Sequence, residues 1–153
     1  MHRAVMARAR EVDAVVMAAA VADYTPEGGA ASQKIAKGGA LHLALERTPD
    51  ILADLGARRG DGHAPVLVGF AAETGDPTRR ASEKLASKRV DLIVANDVSA
   101  PGSGFDVSTN QVTIVSADGV EPLPMMSKAD VASAVLDRLE PLFAARPVPV
   151  ASR

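Results

Sequence analysis

The stretch VLVGFAAETGDPTRRASEKLASKRVDLIVAN, Val66 to Asn96, decides the fold. Val66 to Ala72 (VLVGFAA) is a short continuous apolar run, as a strand buried on both faces requires. Asp76-Pro77 offers an N-cap followed by a Pro in the first turn, and a helix is predicted from there to about Arg89. Val90 to Asn96 (VDLIVAN) is a second buried strand. Strand, helix and strand in that order predict a parallel pair joined by a right-handed crossover.

Working outward, the same grammar repeats. Asp13 to Ala20 (DAVVMAAA) reads as another buried parallel strand, preceded by a helix from Met1 to Arg10. Tyr24 to Gly39 is rich in Gly, Pro, Ser and Ala without periodicity and is expected to be a mobile loop. Leu41 to Arg47 (LHLALER) alternates like a half-buried strand. Thr48-Pro49-Asp50 supplies a cap, a Pro at N1 and a first-turn acid for a helix to about Arg59. Asp106 to Val115 is expected to be a hairpin turning near Thr109-Asn110. Ser127-Lys128-Ala129-Asp130 resembles a capping box and opens a last helix to about Phe143. The predicted fold is α/β: a Rossmann-like, mostly parallel sheet with flanking helices and a C-terminal β-hairpin plus helix. Residues 1–143 form one domain by size, and 144–153 are expected to be a disordered tail.

Composition narrows the function. The chain has 153 residues, a formal net charge of -2 and no basic stripe, which argues against a nucleic-acid surface. It has no Cys, so disulfides and thiolate nucleophiles are excluded, and its three His are dispersed. No apolar run is long enough to span a bilayer, and no signal-peptide pattern opens the chain; a cytoplasmic protein with no membrane partner is expected. The lysines are few and fall in two tight pairs, Lys34 with Lys37 and Lys84 with Lys88. Lysine is a compact point charge suited to phosphate.

In α/β sheets, ligands bind beyond the carboxyl ends of strands. That rule selects Val21 to Tyr24, Glu73 to Asp76 and Asn96 to Ser99. In MAAAVADYTP, Met17 to Pro26, small residues permit close backbone approach, and Asp23 could hold a ribose hydroxyl or a divalent cation, or simply cap a turn. In QKIAKGG, Gln33 to Gly39, a loop lysine could fold over a phosphate; two solvated lysines are the plainer reading. Phe70 could lie against a base, though core packing is the better physical expectation. Lys84 and Lys88 share a helix face and repel, so a polyphosphate, or more plainly Glu83, should compensate. Asn96 could bond a substrate amide or cap the next turn. No nucleophile–base arrangement and no Walker A or GxGxxG motif is present.

Taken together, AAAVADY, a KIxK loop, TPDIL, VGFAAETGD, a lysine-bearing helix and DLIVANDVS, in this order, resemble the C-terminal two-thirds of phosphopantothenoylcysteine synthetases. The resemblance covers about Met1 to Phe143. It implies a ligase of coenzyme A biosynthesis that joins 4'-phosphopantothenate and cysteine via an acyl-cytidylate formed from CTP, with Mg2+. It implies backbone contacts to nucleotide from Met17, Ala18 and Ala19. Asp23 would contact nucleotide or its metal, and Lys34 would be needed for the acyl-cytidylate. Further nucleotide contacts would come from Pro49, Asp50, Ile51, Leu52, Phe70, Lys84 and Lys88. It also implies a homodimer in the full-length form and, in bacteria, a common fusion to a decarboxylase that carries FMN. Two departures stand out. The loop reads KIAK where KIKK is usual, so Ala36 removes one charge. The Gly-rich segment, the Asn and the SSGxMG-like stretch that open family members are not in this sequence, so a nucleotide-binding fragment inactive alone is the alternative expectation.

Overall fold

The structure, a computed structural model, describes residues 1–35, 38–73, 77–99, 101–103 and 107–144. Helix α1 (His2–Arg8) leads into strand β1 (Ala14–Met17) and the short strand β2 (Tyr24–Pro26). Strand β3 (Leu45–Arg47), helix α2 (Ile51–Arg59), strand β4 (Val66–Glu73), helix α3 (Pro77–Lys88) and strand β5 (Leu92–Asp97) follow. The chain then makes β6 (Thr109–Asn110), β7 (Val112–Ser116), β8 (Gly119–Pro122), β9 (Met126–Ser127) and helix α4 (Lys128–Ala144).

The main sheet has the order β1-β4-β5-β7-β8. Strands β1, β4 and β5 are parallel, with Val16 beside Val68 and Phe70 beside Val94. β7 and β8 complete it antiparallel. Alternation along the buried strands sorts their side chains into two cores. Leu67, Ala71, Ile93 and Val115 meet Leu52 and Leu55 of α2 and Ala81 of α3 on one face. Val66, Val68, Leu92, Val94 and Ile114 meet Val131, Val135 and Leu139 of α4 on the other. The expected α/β class, with its mostly parallel sheet, C-terminal hairpin and final helix, is what the chain forms.

The local departures have physical reasons. β1 ends at Met17, short of Ala20, and lies at an edge of the sheet, so Val16 is exposed and the strand is only half-buried. The expected loop begins with a strand: β2 pairs antiparallel with β3, and Glu27 N–H donates to Ala44 O at 3.0 Å just beyond the pair. Only Leu45–Arg47 of LHLALER is a strand, and it is exposed. The cap of α2 is Asp50, whose Oδ1 accepts from Ala53 N–H at 3.0 Å, so Pro49 precedes the helix. Thr48 instead donates its hydroxyl to Ala22 O at 2.5 Å.

The hairpin turns at Ala117-Asp118, between Ser116 and Gly119, and not at Thr109-Asn110, which pairs with Met126–Ser127. Gly119 follows the two turn residues at once, with a φ of 144° that favours glycine. Ser127 does cap α4: its Oγ accepts from Asp130 N–H at 3.1 Å. Asp76 with its cap, Lys37, Ala36, Asp106 and the tail after Ala144 lie outside the described residues. Among the described residues, no helix is long and apolar enough to cross a membrane.

Candidate functional site

At the carboxyl ends of β1 and β4 the sheet opens into a cleft of about 470 Å³. Its floor is built by Met17 at the end of β1, Ala19 and Ala20 beyond it, and Phe70, Ala71 and Ala72 of β4. Val21 to Asp23 and Arg47 to Leu52 supply one wall, and Lys84 and Lys88 of α3 supply another. Of the residues singled out from the sequence, the cleft therefore gathers Met17, Ala19, Asp23, Pro49, Asp50, Ile51, Leu52, Phe70, Lys84 and Lys88. Ala18 and Lys34 are exposed and do not line it. Lys34 lies on the excursion between β2 and β3, and Asp23 and Arg47, at the base of that two-stranded ribbon, both border the cleft.

Sequence grammar explains the cleft's shape. Val66 and Val68 are covered by the α4 core, but Phe70, two residues on along the same face, is 41% exposed. Core packing, the better expectation for Phe70, is therefore corrected: the strand runs on past its cover. Gly69 lets α2 press against β4, since a Cβ there would stand 2.5 Å from Leu52 Cδ2. Gly56 does the same between α2 and α3, where a Cβ would stand 1.8 Å from Lys88 O. These two close approaches bring the start of α2 and the end of α3 to the same rim.

Each cleft lysine is met by a carboxylate. Lys88 Nζ is 2.8 Å from Asp50 Oδ2, while the other oxygen of Asp50 caps α2. Burial alone would raise the Asp50 pKa, but Lys88 and the backbone N–H groups of Ala53 and Leu52 outweigh it and hold the carboxyl below its ordinary value. Lys84 Nζ lies 2.5 Å from Glu73 Oε1, and Arg80 Nη1 lies 3.1 Å from Glu73 Oε2. Burial likewise pulls Glu73 upward, and the hydrogen bonds and charges of Lys84 and Arg80 bring it below its ordinary value. Glu83, expected to compensate the lysine pair, bonds Arg79 at 2.6 Å instead.

Sequence reasoning missed Arg80, Arg47 and Thr48 here. Arg80 was legible in principle, because it stands four residues before Lys84 and shares its helix face. Asn96 and Asp97 turn to the following loop: Ser103 Oγ donates to Asn96 Oδ1 at 2.7 Å, and Ser99 N–H donates to Asp97 Oδ1 at 2.9 Å.

A smaller cavity of about 280 Å³ lies at the opposite ends of the strands, between Arg10, Val12, Arg58, Arg59 and Pro65. Arg59 is tied there to Asp91 and, through Nη2, to Arg89 O at 2.6 Å. That pairing fastens α2 to the sheet, and the topology of α/β sheets puts ligands at the other end. The carboxyl-end cleft combines an aromatic face, strand ends with small side chains, two ammonium groups and the Asp23 carboxylate. Such a set can hold a flat ring together with a multiply charged anion.

Comparison with known proteins agrees with this architecture. Residues 1–142 match the family model described as the DNA/pantothenate metabolism flavoprotein C-terminal domain. The chain is 45% identical, over 143 residues, to the coenzyme A biosynthesis bifunctional protein CoaBC of Bacillus subtilis (strain 168). That alignment covers 93% of this chain and 34% of the relative, so the chain spans about a third of the length of the curated relative. The crystal structure of the C-terminal domain of a CoaBC protein superposes with a TM-score of 0.70 at 38% identity, covering 94% of this chain and 63% of that one. A complex described as holding phosphopantothenate-cysteine superposes with a TM-score of 0.60 at 20% identity, covering 83% and 44%, and shares the fold.

Proposed function

Because this chain belongs to the family of the DNA/pantothenate metabolism flavoprotein C-terminal domain, we propose that it forms the nucleotide-holding part of a ligase that joins 4'-phosphopantothenate to cysteine in coenzyme A biosynthesis. The single observation that carries this reading is the cleft, which draws Asp23, Phe70 and the α3 pair Lys84 and Lys88 from three separated segments onto one ligand-sized space. The names of the CoaBC relatives and the phosphopantothenate-cysteine bound by a structural neighbour support the same reaction.

In this reading the nucleotide is CTP. A carboxylate oxygen of 4'-phosphopantothenate attacks its α-phosphorus, the bond to pyrophosphate breaks, and an acyl-cytidylate remains. The amine of cysteine then attacks the acyl carbon, CMP leaves, and the amine loses its proton. The chain's own residues work by position and charge. Phe70 offers its exposed face to the base. Met17, Ala18 and Ala19 offer backbone groups beside it, and Pro49, Asp50, Ile51 and Leu52 bound the other side. Lys84 and Lys88 neutralise phosphate oxygens. Lys34 comes from the excursion to meet the charge that develops as pyrophosphate departs.

The donor set suits Mg2+, which is usually held by one or two carboxylates together with the substrate's phosphates. Asp50 is engaged by Lys88 and Ala53, and among the described residues Asp23 is the other acid on the cleft. Asp23 would hold the ion, which when bound would offset phosphate charge.

Homodimerisation and fusion to an FMN-bearing decarboxylase belong to the same proposal for the whole protein. The deciding experiment mixes the chain with CTP, Mg2+ and 4'-phosphopantothenate and follows pyrophosphate, beside a calorimetric titration with CTP and with ATP. Binding of CTP in preference to ATP is the expected result. Failure to bind either nucleotide would overturn the proposal. The chain alone is expected to bind without turning over, and the full-length protein to release pyrophosphate.

A further inference from the structure

Among the described residues, Glu73 is the buried charged side chain of the core, 5% exposed, and it stands at the last position of β4 beside the cleft. A buried carboxylate is costly unless its oxygens are matched by cations or donors. Here each oxygen is matched: Oε1 by Lys84 at 2.5 Å and Oε2 by Arg80 at 3.1 Å. Both cations come from one face of α3, four residues apart, and both remain partly open to solvent. Repulsion between neighbouring cations at that spacing would otherwise splay them.

We infer that Glu73 is a positioning residue, whose buried carboxylate fixes the Lys84 ammonium at the cleft wall and seats Arg80 beside it, so that a polyphosphate meets a cation already in place. The inference rests on the nucleotide reading of the cleft and names a residue which that reading leaves unused. Lysine has a long, rotamer-rich stem, and freezing it before the ligand arrives removes an entropic cost from binding. Glu73 is itself anchored, since its backbone pairs with Asp97 of β5 and its carbonyl accepts from Val98 N–H at 3.2 Å. The clamp is therefore fixed to the sheet while the cations it holds belong to the helix.

The sign of one effect separates positioning from simple charge. Glu73→Gln removes a negative charge next to the cleft. Electrostatics alone would tighten binding of a polyanion, because two cations are then less neutralised. Loss of positioning would weaken it. The experiment titrates CTP, and tripolyphosphate as an inorganic probe, into the 153-residue chain and its Glu73→Gln, Glu73→Asp, Lys84→Met and Glu73→Gln/Lys84→Met variants, with thermal melts alongside.

The expected result is about tenfold weaker binding of both probes to Glu73→Gln, a smaller loss in Glu73→Asp, and no further loss when Glu73→Gln is added to Lys84→Met. Unchanged or tighter binding by Glu73→Gln, or additive losses in the double variant, would overturn the inference while leaving the nucleotide reading intact. Should Glu73→Gln fail to fold, Glu73→Asp decides by the same criterion, because its shortened carboxylate keeps the charge and loses the reach. Absence of binding by the unaltered chain would overturn the nucleotide reading and this inference with it.

Discussion

Asp50 and Lys88 meet carboxylate to ammonium at 2.8 Å, and the same Asp50 side chain caps helix α2 through Ala53 N–H. One carboxyl thus starts one helix and holds the end of another. The two duties separate by substitution. Asp50→Asn keeps a capping oxygen and loses the ion pair, which is half-exposed and is expected to cost under about 0.5 kcal/mol. Asp50→Ala loses the cap as well, at about 1 kcal/mol. Urea denaturation should rank the alanine variant clearly below the asparagine one; equal midpoints would mean that the cap contributes nothing.

Acid should weaken the fold through its depressed carboxylates: Asp50, Glu73 and, beside Arg138, the exposed Glu121. Asp50 and Glu73 are held below their ordinary values of 3.8 and 4.5. A depressed carboxylate gives its stabilisation in full above the unfolded-state value and loses it as pH falls through the lower folded value. Melting temperature is therefore expected to hold steady above pH 4.5 and to decline below it, more shallowly in Glu73→Gln. An acid limb of unchanged slope in that variant would show that Glu73 does not contribute.

Gly56 answers a test of packing against propensity. Alanine is the better helix former by about 1 kcal/mol. A Cβ at this position nonetheless meets the Lys88 carbonyl at 1.8 Å, so α2 and α3 must part. Gly56→Ala should destabilise by about 1–3 kcal/mol net, the usual range for overpacking. Gly69→Ala, which strikes the ends of the Leu52 and Ile93 side chains, should cost less. A Gly56→Ala protein as stable as the parent would contradict the close approach.

Phe70 distinguishes a ligand surface from a core. A buried Phe cut to Ala costs about 3–5 kcal/mol. With its ring 41% exposed, Phe70→Ala should lose far less stability and weaken CTP binding about tenfold, as loss of base stacking would. Calorimetry and a melt on the same sample decide it. A large stability loss with unaltered affinity would return Phe70 to the core.

Lys34→Gln in the full-length protein should abolish acyl-cytidylate formation and change the unfolding free energy by less than about 0.5 kcal/mol, as exposed substitutions do. Quenched-flow detection of the intermediate provides the measurement. Normal intermediate levels would remove Lys34 from the reaction.

The parallel half of the sheet was legible because continuous apolar runs such as VLVGFAA and VDLIVAN have few other uses, and Pro77 stands at the start of α3. Of the places that the strand-end rule selected, the stretch Val21 to Asp23 was legible as cleft lining, while Asn96 and Asp97 turn to the following loop. Pairings between distant residues were not legible. Nothing local to Glu73 says that Lys84, eleven positions on, will turn back to it, and nothing local to Glu83 says that it will choose Arg79. The β2–β3 ribbon was hidden for a related reason: Tyr24-Thr25-Pro26 is too short and too polar to show a period, and it becomes a strand only when Leu45–Arg47 returns alongside. The hairpin turn lies outside the expected stretch, Asp106 to Val115, because Thr109-Asn110 pairs with the distant Met126–Ser127, a partner that nothing local to it announces.

That ribbon closes the chain between Glu27 and Ala44 at its base. Its feet are fastened to each other by the Glu27–Ala44 hydrogen bond and the three residue pairs beneath it. Lengthening such a closed excursion costs only about 0.6 kcal/mol for each doubling. The segment that carries Lys34 can therefore be exchanged as a cassette, longer or shorter, more or less basic, while the floor of the cleft stays as it is. Chimeras that trade this segment alone between relatives would transfer whatever preference it encodes without a redesign of the sheet.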